Sequence, residues 1–299
     1  MVFLWLFSLP LVMVGTLGCR YAAGGNDDNQ VGTPPPATHL DLPARSSEAL
    51  TGSQLVSLLT PLELEVREQR IGEEILGGNL PSFLRTLIPL SWKDTLAGRV
   101  YDIRLEVIAD YVAVGSNDDY LLVPMTPLLA QRLADSLKMI LPTPKIVDRI
   151  WEAAAVKLAP YPIPPSPDMT TVPVFARHNT LVREQRQTVL DEHPLGELVA
   201  GHKKDVVLSN RIAAHPDKVV IYGWHQLNGV PIQPLYSGHV IWYADYSHGI
   251  RWIRDTCTIN GESRRVRDIL RDPELYRLFS DESGPMEVTR YSTDPSNYP

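Results

Sequence analysis

Cysteine is almost absent from this chain: its 299 residues contain two, Cys19 and Cys257. With Cys19 at the end of an N-terminal segment and Cys257 left without a partner, no disulfide frames the fold, and stability has to come from burial. Cys257 reads as a small buried apolar residue rather than a nucleophile. Basic charge is also scarce. Lys and Arg number 28 against 35 Asp and Glu, a net charge of −7, with no long Lys/Arg block. Arg264, Arg265 and Arg267 form the one close basic cluster, read as a solvated turn and helix start. Displacing counterions from phosphates needs a basic face, so this composition argues against a nucleic-acid partner. Long hydrophobic runs are missing beyond the N-terminus, and no internal repeat is apparent. An apolar content of 44% is still ample for a core, which rules out disorder throughout.

The one hydrophobic run is Met1 to Gly18, MVFLWLFSLPLVMVGTLG, followed by Cys19 and a polar stretch. It is short for a spanning helix, contains Pro10 and ends in small residues, the pattern of a cleaved export signal. Gly15-Thr16-Leu17-Gly18-Cys19 resembles the lipobox of bacterial lipoproteins, with Thr16 where that family carries Leu. The resemblance implies lipidation of Cys19 and a membrane-anchored protein of the cell envelope. Ordinary secretion and an uncleaved anchor remain the alternatives. Residues 20–52, dominated by Gly, Asn, Asp, Pro and Ser, read as a flexible tether. Residues 53–299 are expected to form a single globular α+β domain. Helices and a small sheet fill 53–190, and short strands with flanking helices fill a β-rich region over 195–299.

Four Thr-Pro or Asp-Pro dipeptides, at Thr60, Thr126, Thr143 and Asp272, each place a capping oxygen before a residue whose φ suits a first helical turn. They predict helices over about 61–76, 127–139 and 144–158 and one after Asp272, with a short helix over 81–87 and another over 179–189. Strands are expected from Gly98 to Val123, with an acidic solvated turn at Asp118-Asp119. Four prolines make YPIPPSPDM, Tyr161 to Met169, an irregular crossing segment. Further strands are expected near 205–208, 218–222, 239–244 and 250–258, with hairpin turns at Asn228-Gly229 and Asn260-Gly261.

Between Gly201 and Arg251 lie five of the eight histidines, together with lysines, aspartates and a dense set of Tyr and Trp. That mixture exceeds what core packing alone demands, and it marks the candidate site. If residues 239–247 are extended, His239, Tyr243 and Asp245 share a face. His248 then swings back at Gly249 toward Asp245 or toward His225. Three chemistries fit: a metal such as zinc held by His225, His239, Asp245 and His248; a histidine base oriented by Asp245 or Asp205, with Lys203, Lys204 or Arg251 facing developing negative charge; or Ser247 or Ser209 as nucleophile. The catalytic candidates are therefore His225, His239, Asp245, His248, Lys204 and Asp205, and the substrate-binding candidates are Trp224, Tyr246, Arg251, Asn210 and Arg211. The plainer reading of each is a satisfied hydrogen-bonding or core residue. Ser237 to Tyr243, SGHVIWY, is similar to the histidine strand of NlpC/P60 peptidases, whose catalytic Cys usually precedes that His; here Cys257 follows, and no family is assigned on so short a match. The expectation is an exported hydrolase acting on a cell-envelope polymer, peptidoglycan peptide or glycan. The alternative is a non-catalytic glycan-binding or scaffold lipoprotein of the envelope.

Overall fold

The computed structural model describes residues 38–299. The segment expected to direct export, Cys19 and the part of the expected tether up to residue 37 lie outside the described residues. From Thr38 to Leu50 the chain forms no helix, makes one bridge at His39 and turns at residues 47–49, but it is packed rather than free. Leu40 is 6% exposed and its amide donates to the Arg85 carbonyl at 2.8 Å. Arg45 Nε donates to Asn79 Oδ1 at 2.8 Å. The globular body therefore starts ahead of residue 53.

The first helix, α1 (Gly52–Leu59), opens on a capping box made by Thr51 and Gln54. Thr60-Pro61 closes α1 instead of opening the next helix, and α2 runs from Leu64 to Leu76. Proline after a helix end is as natural as proline at a helix start, because it cannot continue the ladder. The segment after Pro81 gives only a 3-10 turn at Ser82–Leu84. It leads into a hairpin of β1 (Leu87–Leu96) and β2 (Arg99–Ile108), joined by Ala97 and Gly98, both at positive φ. A smaller hairpin, β3 (Ala113–Gly115) and β4 (Tyr120–Leu122), carries Asp119 at its tip. That carboxylate is not merely solvated: it accepts from Ser53 N at 3.1 Å at the start of α1.

Thr126 and Thr143 cap α3 (Pro127–Ser136) and α4 (Pro144–Ala153) as the sequence predicts, with β5 (Met139–Ile140) between them. A two-residue strand, β6 (Val156–Lys157), ends the span expected to be helical. After the proline-rich crossing, α5 (Val172–Gln187) starts earlier than its sequence suggests. The remaining elements are β7 (Val199–Ala200), which pairs in parallel with β6, then β8 (Lys204–Val206), a single turn α6 (Arg211–Ala214), β9 (Ile221–His225), β10 (Pro231–Tyr236), β11 (His248–Gly249), β12 (Ile253–Arg254), β13 (Thr256–Ile259), β14 (Glu262–Arg265) and α7 (Val266–Arg271). In the larger sheet β2 is central, holding β1 on one edge and β12 and β13 on the other, with β5 beyond β12 and β14 beyond β13. The smaller sheet runs β10-β9-β8-β11, with β11 parallel to β8 and the other pairs antiparallel. Both predicted turns are present, with Gly229 and Gly261 at positive φ. Asp272 opens no helix: it follows α7, and its carboxylate takes the amides of Glu274 and Leu275 in a turn. No helix among the described residues is long and apolar enough to cross a membrane.

Candidate functional site

The smaller sheet and the loop before β11 position the site. Residues 239–247 are not extended: Val240 makes one isolated bridge to Lys218, and the chain then turns, with Tyr243 N on Val240 O at 2.9 Å and His248 N on Asp245 O at 3.0 Å. Turns, not strand alternation, bring the side chains together. His248 Nδ1 lies 3.1 Å from Asp245 Oδ1 and 3.1 Å from the Asp245 amide nitrogen. The amide calls for a bare Nδ1 and the carboxylate for Nδ1–H. Only the amide contact has hydrogen-bond geometry, so Nδ1 accepts from the Asp245 N–H, a neutral ring carries its proton on Nε2, and the carboxylate is held close without a hydrogen bond. Nε2 is buried and has no partner among the described residues.

Around this pair, Tyr243 donates to Asp245 Oδ2 at 3.3 Å, and Lys204 Nζ lies 3.7 Å from the same oxygen. Lys204 also stands 5.2 Å over the Trp224 ring. His239 stacks on Tyr243 with ring centres 4.0 Å apart, and Tyr243 meets His248 edge-on at 5.7 Å. Burial alone would raise the Asp245 carboxyl, but His248, Lys204 and the Ser247 hydroxyl outweigh it and hold the group well below the usual carboxylate range. Burial and then the Asp245 charge push the Tyr243 phenol up to about 12. Burial, followed by His248, lowers the His239 imidazole. The arrangement is an ionised aspartate orienting a histidine, with a phenol and an ammonium on the same carboxylate.

Behind it lies a buried charged layer. Lys203 is 1% exposed, donates to Tyr246 O at 2.5 Å and contacts His178 Nδ1 at 3.1 Å; burial pulls its pKa down to about 7. Asp205 accepts from Tyr111 at 2.7 Å, and burial raises its carboxyl to about 6. Arg251 is fully buried, donating to Ile108 O and Val199 O with its guanidinium 4.2 Å over the Tyr111 ring. Tyr246 is pinned through its hydroxyl to Ile163. Asp205, Arg251 and Tyr246 thus support the loop from inside and offer nothing to a ligand as the chain stands.

Several sequence candidates separate. His225 does not join His239, Asp245 and His248. Gly223 and Trp224 take positive φ and break the strand alternation, so that Trp224 faces Lys204 and Tyr246 while His225 turns to α4. There its Nε2 lies 2.9 Å from Asp148 Oδ1, beside Tyr222 and stacked on Trp151. Four metal ligands therefore do not converge as the sequence suggests, and no group of three or more His, Cys, Asp or Glu among the described residues is arranged for a metal ion. Ser247 gives its proton to Asp245 and Ser209 gives its proton to Glu282, so neither is paired with a histidine base. Asn210 holds Gly284 and Pro285, and Arg211 reaches the Leu235 carbonyl. Tyr243, which reads in the sequence as a packing aromatic, is the group that sequence reasoning underweighted; its position two residues before Asp245 was the available signal. No family model, no curated protein and no solved structure matches this chain.

Proposed function

We propose that this chain is an exported hydrolase of the cell envelope, anchored through a lipidated Cys19, whose acid–base centre is the Asp245–His248 pair. One observation carries the reading: an ionised Asp245 holds its carboxylate 3.1 Å from His248 Nδ1, Nε2 of that ring has no partner among the described residues, and Lys204 and Tyr243 meet the same carboxylate. In this mechanism the ring proton moves to Nδ1, where the Asp245 carboxylate accepts it, and the bared Nε2 takes a proton from a water attacking the scissile carbonyl or glycosidic carbon and returns it to the leaving group. Lys204 faces the negative charge that develops. The substrate is a wall polymer, peptidoglycan peptide or glycan. His248→Asn and Asp245→Asn are expected to lower turnover of purified sacculi about 10²- to 10⁴-fold in protein that circular dichroism shows to be folded, with Asp245→Asn also lowering the melting temperature because Ser247, Tyr243 and Lys204 lose a charged partner. Full activity in both variants would sink the enzyme reading.

A second reading, a non-catalytic glycan-binding lipoprotein, is favoured by a different observation. His248 is 1% exposed, whereas Trp242 is 37% and Tyr236 42% exposed, so the aromatics rather than the imidazole meet solvent. Sacculus binding without turnover, unaffected by His248→Asn, is its signature.

A further inference from the structure

Tyr243 has a second role: the wall of a cavity. Its residues lie beside Asp245 on one side and, on the other, line a space of about 240 Å³ with Leu62, Glu63, Arg67, Thr170 and Trp242. Arg67 is the cation in that lining. Its one hydrogen bond among the described residues runs from Nη1 to Thr170 O at 3.3 Å, and its guanidinium stands 5.5 Å over Phe175. Of the neighbouring acids, Glu63 shares the lining and attracts Arg67 through space without forming an ion pair, and the others are committed elsewhere. Glu68 accepts from Thr126 and Tyr298, and Glu73 and Glu74 pair with Arg70. Arg67 itself makes no ion pair among the described residues, and a guanidinium has five donors in a fork that fits a carboxylate in two parallel bonds.

We propose that this cavity is a subsite for the carboxylate-bearing end of a short peptide, adjoining the Asp245–His248 pair; the assignment rests on the hydrolase reading given above. Arg67 takes the carboxylate. Trp242 and Tyr243 give the peptide apolar and stacking walls, and Tyr243 leads from the subsite to Asp245. Glu63 in the same lining repels a doubly charged phosphate more than a single carboxylate and suits the peptide's N–H or ammonium. Two helices, α2 and α5, start at the cavity with Glu63 and Thr171 as cap residues that make no side-chain capping bond, so their positive ends add to the same preference without defining it. A space of this size holds the end of a peptide rather than a whole chain.

The test is isothermal titration of the full chain with trialanine, its C-terminal amide and inorganic phosphate. Trialanine is expected to bind, with the amide weaker by about tenfold or more, because the charge-assisted fork is lost. Arg67→Gln should weaken trialanine by a similar factor, Arg67→Lys by less, and His248→Asn not at all. Trp242→Ala, at an exposed position, supplies an independent variant that keeps the fold and should also weaken binding. The subsite is overturned by absence of trialanine binding, by equal affinity for the amide, by phosphate binding as tightly as the peptide, or by full affinity in a folded Arg67→Gln. The two ideas fail separately. Tripeptide binding without turnover of sacculi removes the hydrolase and leaves the subsite, whereas turnover with no Arg67 dependence does the reverse.

Discussion

Lys203 holds its ammonium on the Tyr246 carbonyl and against His178 Nδ1, and burial draws its pKa from 10.5 to about 7. Burial and the Lys203 charge keep His178 neutral, at about 2, so Nδ1 can accept. Between about pH 7 and 10.5 the unfolded chain therefore binds a proton that the folded chain does not, and stability from this group rises with pH across that window. Relative to Lys203→Met, the wild type should gain on the order of 2 kcal/mol between pH 7 and 9.5 in urea unfolding. Equal slopes for the two proteins would mean that Lys203 is not held neutral. Beside it, Gly249 shows how tightly the layer is packed. A Cβ there would meet the Tyr111 ring at 2.5 Å and Lys203 Cβ at 2.7 Å, while at Gly284 nothing lies within 4 Å. Gly249→Ala should cost roughly 2–3 kcal/mol and Gly284→Ala close to none, read as shifts in denaturation midpoint.

Helix α1 depends on a residue far along the chain. Asp119, at the tip of the β3–β4 hairpin, accepts from Ser53 N and Ser53 Oγ, which ties that hairpin to the first turn of α1. Asp119→Ala should lower stability by about 1 kcal/mol at pH 7, the usual size of a lost helix cap. Burial would raise this carboxyl, but Thr51, the Ser53 bonds and Arg183 outweigh it and lower the pKa. The stabilisation is thus present above the ordinary value of 3.8 and fades as pH falls below it, so the gap between wild type and variant should narrow by pH 3. A gap that stays constant with pH would show that the charge plays no part. The same elements mark how far local sequence reaches. Thr126-Pro127 and Thr143-Pro144 announce helices and deliver them, but Thr60-Pro61 and Asp272-Pro273 stand at helix ends, because the dipeptide suits either side of a boundary. Strand β1 was hidden by Pro89, which an edge strand tolerates and a central strand would not.

At the scale of the molecule, the α+β class and the region of the candidate site were legible, and the partners within it were not. Density of His, Asp and Tyr pointed to 201–251, and the turn at Asp245 to His248 keeps its groups local in sequence. His225 went astray because its partner Asp148 sits on α4, far along the chain, and Arg67 escaped notice because only tertiary packing brings α2 to Tyr243. The N-terminal boundary failed for a related reason. Composition places the tether through residue 52, yet a Pro- and Ser-rich strip can be fixed by hydrogen bonds that no periodicity reveals. Thr38 Oγ1 donates to Glu106 at 2.5 Å, Leu87 N to Thr38 O at 2.8 Å, and Asn79 Nδ2 to Leu50 O at 2.9 Å, while Leu40 is buried. A chain starting at Thr38 should therefore unfold in one cooperative transition, and one starting at Ser53 should lose roughly 3 kcal/mol through one buried leucine and several unpaired polar groups. Urea denaturation of the two truncations, followed by tryptophan fluorescence, separates the cases. Equal midpoints would return residues 38–52 to the tether.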